Sequence, residues 1–198
     1  MTAMGVWLSS ATDAVLAAEG SNVPQALSDS LRTGDLAGAF RLTQGLAENN
    51  EVEAQHNLSL FYWHGVGAPQ NFDEAVRWST MAAIRGHKKA IAARKAMLAA
   101  IDPQVVKKAM DWARARLTKD AEAGDDTALM PLSTSYLLEF GAPNAIEAYV
   151  WAAISVSTGK AEARRQRDVI VSTMNQSDVI KAQNRANEWF KRFRKAQS

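Results

Sequence analysis

The sequence predicts an all-α fold built from stacked pairs of helices, and three observations point there. Apolar residues recur three and four positions apart through the long segments. No stretch alternates apolar and polar residues as a half-buried strand would. A pattern of roughly 74 residues occurs twice along the chain.

The duplication is read from ordered matches. "RLTQGLAENNEVEAQ" from Arg41 returns as "RLTKDAEAGDDTAL" from Arg116 with one residue deleted. "GAP" at Gly67–Pro69 returns at Gly141–Pro143, "EAVRW" at Glu74–Trp78 returns as "EAYVW" at Glu147–Trp151, and Gly86 returns as Gly159. The domain organisation expected from this is an N-terminal segment, residues 1–34, followed by a repeat region, residues 35–198. That region holds two units, at about 41–115 and 116–195.

Taken in order, the N-terminal stretch "MTAMGVWLSSATDAVLAAEG" is either a plain helix or the residue of a signal peptide. It ends in "AVLAA", which suits signal-peptidase cleavage, but it lacks a basic start and Asp13 interrupts its apolar part. The chain has no cysteine, which excludes disulfides, thiolate zinc sites and cysteine nucleophiles. That composition suits export, so a periplasmic or secreted location is expected, with a cytoplasmic one as the alternative. No apolar run reaches the roughly 18 residues that a spanning helix needs.

In the first unit, Ala54, Leu58, Phe61 and Tyr62 form an apolar helical stripe. "GVGAPQN" breaks it, because Pro69 cannot continue a helix and the glycines accept positive φ. A second helix buries Phe72, Ala75, Val76, Trp78, Ala82 and Ala83 and ends at Gly86. Two more helices are expected near 88–100 and 102–123, the latter opened by Asp102-Pro103. The second unit repeats this near 127–139, 145–157, 160–174 and 177–195.

These residues resemble the Sel-like (Sel-one-like) repeat, a relative of the tetratricopeptide repeat. The resemblance rests on Ala54, Leu58, Tyr62, Gly65, Gly67, Asp73, Ala75, Trp78, Ala82, Ala83 and Gly86. It is looser in the second copy, where Ala128, Leu132, Tyr136, Gly141, Glu147, Ala148, Trp151 and Gly159 persist. Ser59 and Ser133 stand where the family usually places glycine for close helix packing. The resemblance implies a right-handed superhelical α-solenoid of antiparallel helix pairs, in which Tyr62 and Trp78 fill the space between successive pairs. One pair cannot bury its apolar face alone, so neighbours stack and leave a concave side.

The chemical candidates are weak beside this. Gly65-x-Gly67 lacks the third glycine of a dinucleotide loop and the Lys-Ser/Thr of a phosphate loop. His56 and His64 are two turns apart, roughly 12 Å, too far to share a metal. His87 takes the position that follows the second helix in the family, and Asp125 and Asp126 suit a helix cap. No serine stands in a nucleophile elbow and no carboxylate pair is set in apolar surroundings.

The expected function is therefore a non-enzymatic scaffold with a protein or peptide partner, no cofactor, no metal and no small-molecule substrate. The resemblance places the partner against the first helix of each pair, at positions that packing leaves over. In the first unit these are Glu53, His56, Leu60, Trp63 and His64. In the second they are Thr127, Met130, Thr134, Leu137 and Leu138. Apolar members of these sets suit a groove floor, and a buried-core reading of them stands beside it.

The charge distribution supplies an alternative. Residues 1–86 carry a net charge of −5 and residues 87–198 a net charge of +7. At the end, "ANEWFKRFRKAQS" interleaves Trp189, Phe190 and Phe193 with Lys191, Arg192, Arg194 and Lys195. Such a segment binds nucleic acid or an acidic membrane surface, or it is a capping helix with its aromatics turned inward.

Overall fold

The computed structural model describes residues 25–138 and 143–196. The signal-like segment at residues 1–18 lies outside the described residues, as do Glu139 and Gly141, the latter from the second Gly-Ala-Pro. Among the described residues the chain is all-α, with ten α-helices, one 3-10 turn and no strand.

The helices are α1 (Gln25–Thr33), α2 (Leu36–Glu48), α3 (Val52–His64), α4 (Phe72–Ile84), α5 (Lys88–Leu98) and α6 (Pro103–Glu122). After a 3-10 turn at Asp126–Ala128 come α7 (Leu129–Leu137), α8 (Ala145–Ser157), α9 (Ala161–Ser172) and α10 (Gln176–Ala196). Two compact units divide between Ala109 and Met110, inside α6.

The first unit grows by adding each helix to the one before it: α2 on α1, α3 on α2, α4 on α3 and α5 on α4. Its centre is α4, where Ala75, Val76, Met81 and Ala82 are fully buried. Alanines at the contacts let the backbones approach, and Ala82 and Ala83 meet Ala90 of α5 directly. Tyr62 meets Phe40 of α2 edge-on at 5.2 Å, and Trp78 is buried. Phe72, expected inside, is instead 42 % exposed, because it opens α4 at the surface.

Short polar side chains fix where the helices begin. Asp35 caps α2 by accepting from the Gly38 N–H at 2.8 Å. Asn71 caps α4 through the Glu74 N–H and Asn144 caps α8 through the Glu147 N–H, both at 3.1 Å. The same Asn-x-x-Glu thus starts the second helix of both copies, satisfying an N–H that the helix itself leaves unpaired.

In the second unit α8 is central and touches α7, α9 and α10. Ala148, Val150 and Ala152 are fully buried in it. Ser133 of α7 donates to the Ala148 carbonyl of α8 at 2.7 Å and accepts from Gln166 of α9 at 2.9 Å. One hydroxyl therefore ties three helices together where a glycine would only have let them touch. Successive paired helices of this kind form an α-solenoid.

Candidate functional site

The start of α3 meets the turn between α4 and α5, where His87 joins Glu53 and His56 from more than thirty residues along the chain. Gly86, at φ +87°, ends α4 and turns the chain so that His87 becomes the N-cap of α5. The His87 Nδ1 accepts from the Ala90 N–H at 3.1 Å, so its proton sits on Nε2 and points to Glu53 Oε2, 2.8 Å away. Glu53 lies one turn before His56 on α3, and the His56 and His87 rings sit 4.6 Å apart.

His56 was expected on a face left free for a partner. It is only 3 % exposed, and its Nδ1 has no hydrogen-bond partner. Burial, followed by the charge on His87, pushes its pKa down to about 4, although Glu53 acts in the other direction. The imidazole is neutral at physiological pH and belongs to the interior of the repeat.

In the second unit a contact of the same sequence spacing uses different chemistry. Lys160 follows Gly159 as His87 follows Gly86, and its ammonium lies 3.1 Å from the Asp126 carboxylate. It also donates to the Asp126 carbonyl at 2.9 Å. Both closures join residues 34 apart in sequence.

Leu60 and Trp63 are half-buried and pack on Val76, Met97 and Ala109. The Trp63 ring also meets Phe72 at 4.8 Å, and its carbonyl accepts from Gln70 at 2.8 Å. These two residues serve the contact of α3 with α4, α5 and α6, so the core reading describes them better than a groove floor does. His64 is exposed at the last residue of α3. Glu53, half-exposed, is occupied by His87.

In the second unit Met130 and Thr134 are half-buried on α7, and Thr127 is exposed in the preceding turn. Leu137 lines an open groove of about 340 Å³ with Gln166, Val169, Ile170 and Thr173 of the α9 segment. Leu138, next along, is 43 % exposed and Val169 is 66 % exposed. Sequence reasoning missed Val169. The signal was its position: Ala163 and Ile170 mark the buried stripe of α9, and Val169 falls off it in an otherwise polar helix.

On α10, Ala182, Ala186 and Phe193 form the buried stripe. Trp189 turns inward against Trp151 of α8 at 4.7 Å. Lys191, Arg192, Arg194 and Lys195 are exposed in the last turns, where cations complement the negative end of the helix dipole. Arg192 lies over the Trp189 ring at 5.3 Å and Arg194 over Phe190 at 6.0 Å. The aromatics are thus shared with the core, as in a capping helix.

Among the described residues no group of three or more His, Cys, Asp or Glu is arranged to hold a metal ion, and no helix is long and apolar enough to cross a membrane. Comparison with known families finds that residues 52–87 match the family model described as the Sel1 repeat. The match covers α3, α4 and the His87 turn, and thus includes all three members of the Glu53–His56–His87 cluster. No curated protein matches the chain. Residues 52–87 match the Sel1 repeat, and the described residues around them are all-α.

Proposed function

We propose that this chain is a non-enzymatic scaffold that holds a protein partner against the exposed apolar groove of its second unit. Sel1 repeats generally mediate protein–protein interactions and are typically non-catalytic. The observation that carries the reading is the groove itself: Leu137, Val169 and Ile170 line it beside Glu162, Arg165, Gln166 and Thr173, and exposed Leu138 follows Leu137 along the chain. An extended or helical segment bearing one or two apolar side chains fits a groove of this size, with polar groups along the rim to set its register. Of the residues expected to bind, Met130, Thr134, Leu137 and Leu138 of this unit remain candidates, and Val169 joins them; His64, exposed at the end of α3, is a separate candidate in the first unit.

A second reading has its own support. Lys191, Arg192 and Arg194 are exposed together on one end of α10, the two arginines lying over aromatic rings of their own helix. They suit an anionic surface, whether nucleic acid or acidic lipid.

Affinity capture from the native cell separates the two readings. A Leu138→Ser/Val169→Ser protein should lose partners that a Lys191→Ala/Arg192→Ala/Arg194→Ala protein retains, with capture little affected by salt. Loss confined to the charge variant, together with collapse of binding as salt rises, would transfer the function to the basic helix.

A further inference from the structure

The closure of the first repeat differs from that of the second in one chemical respect. The second unit pairs an ammonium with a carboxylate at Lys160 and Asp126, whereas the first repeat uses two imidazoles and one carboxylate. His56 is buried with an unpartnered Nδ1, so a proton there would find no protein acceptor. His87 already uses Nδ1 to accept from Ala90, so a second proton on that ring displaces the cap of α5. With the rings 4.6 Å apart, Glu53 can offset the charge on one of them but not on both.

We propose that Glu53, His56 and His87 form an acid-responsive latch: proton uptake by the stacked imidazoles frees the start of α3 from the α4–α5 turn in the first repeat, while the Lys160–Asp126 pair keeps the second repeat closed. The Sel1 repeat then opens locally on acidification instead of the whole chain unfolding together.

The charges bearing on His56 are Glu53 of its own helix, which favours the proton, and His87 and Lys89 at the start of α5, which oppose it. α2 ends at this edge in Glu48, and α4 is followed there by Arg85, held by Asn50 at 3.1 Å. The arrangement resists a charge on His56 while closed and releases that resistance when open. With His56 at about 4 when closed and at its ordinary 6.5 when open, acidification to pH 5 raises the open population about 30-fold.

Amide hydrogen exchange of the full chain at pH 7.5 and pH 5.0, corrected for the intrinsic exchange rate, tests this by mass spectrometry. Peptides from residues 52–98 should show opening that rises tenfold or more, and peptides from residues 129–172 less than threefold. His56→Gln, folded by circular dichroism at pH 7.5, should abolish the rise. An equal rise in both repeats, no rise in the first, or a rise that persists in His56→Gln overturns the latch. If His56→Gln does not fold, His87→Asn takes its place, since asparagine keeps the N-cap without the ring. An undiminished rise in that variant overturns the proposal equally.

Discussion

The backbone of Gly67 rests against the main-chain carbonyl of Leu36, so closely that a Cβ at residue 67 would collide with that oxygen and with the Cβ of Phe40. Leu36 opens α2 and Gly67 lies in the turn between α3 and α4, at φ +71°. The glycine is therefore required twice, for its dihedral angle and for the space. Gly67→Ala should cost about 3 kcal/mol or more, since neither backbone can yield without moving a helix. Gly86→Ala meets only the dihedral penalty, with nothing within 4 Å of the new methyl, and should cost about 1 kcal/mol. Urea unfolding of the two variants gives the comparison.

Ser133 and Ser59 occupy equivalent places in the two copies but make different bonds. Ser133 joins α7, α8 and α9, whereas the Ser59 hydroxyl returns to the His56 carbonyl of its own helix at 2.6 Å. Ser133→Ala should therefore cost about 2 kcal/mol, as it removes the buried bond to the Ala148 carbonyl and strands the half-buried amide of Gln166, and Ser59→Ala less than about 1 kcal/mol. Thermal melting should reproduce that order.

Trp63→Ala should cost about 3 kcal/mol by emptying the space against Met97, Ala109 and Phe72. Leu138→Ser and Val169→Ser, at exposed positions, should each stay within about 0.5 kcal/mol of the parent. Chemical denaturation of the three variants checks this, and a partner-binding loss in the last two is then free of any folding defect.

The pH dependence of global stability follows from His56. Its pKa is lower folded than unfolded, so at intermediate pH the unfolded chain binds the extra proton. The contribution is fully present above pH 6.5 and is lost as the pH falls toward about 4. Its size is about 3 kcal/mol at most. Urea midpoints measured across that window should fall with pH in the parent and flatten in His56→Gln.

The helices were legible in the sequence because their signals are local. Apolar stripes at helical spacing, Asn71 and Asn144 three residues before Glu74 and Glu147, and Gly86 at a helix end each act within one turn. The boundary of α8 matches the expectation residue for residue. What local spacing could not supply was the meeting of His87 with His56 and Glu53, 31 and 34 positions before it. His56 and His87 look incidental on separate helices, and only the turn at Gly86 brings the two rings together. Leu60 and Trp63 were similarly ambiguous, because an apolar residue off the main stripe faces either solvent or a third helix. Here the third helix is real, supplied by Met97 and Ala109. For Leu138 and Val169 no third helix among the described residues covers the surface, and they are exposed.

Trp151 and Trp189 have a consequence of another kind. Two indoles 4.7 Å apart and tilted by 51°, one on α8 and one on α10, couple their electronic transitions as well as their surfaces. That coupling exists only while the final helix lies in its seat. The chain therefore carries its own optical reporter, an exciton couplet in the circular dichroism that vanishes when the last helix peels away, without any label being attached.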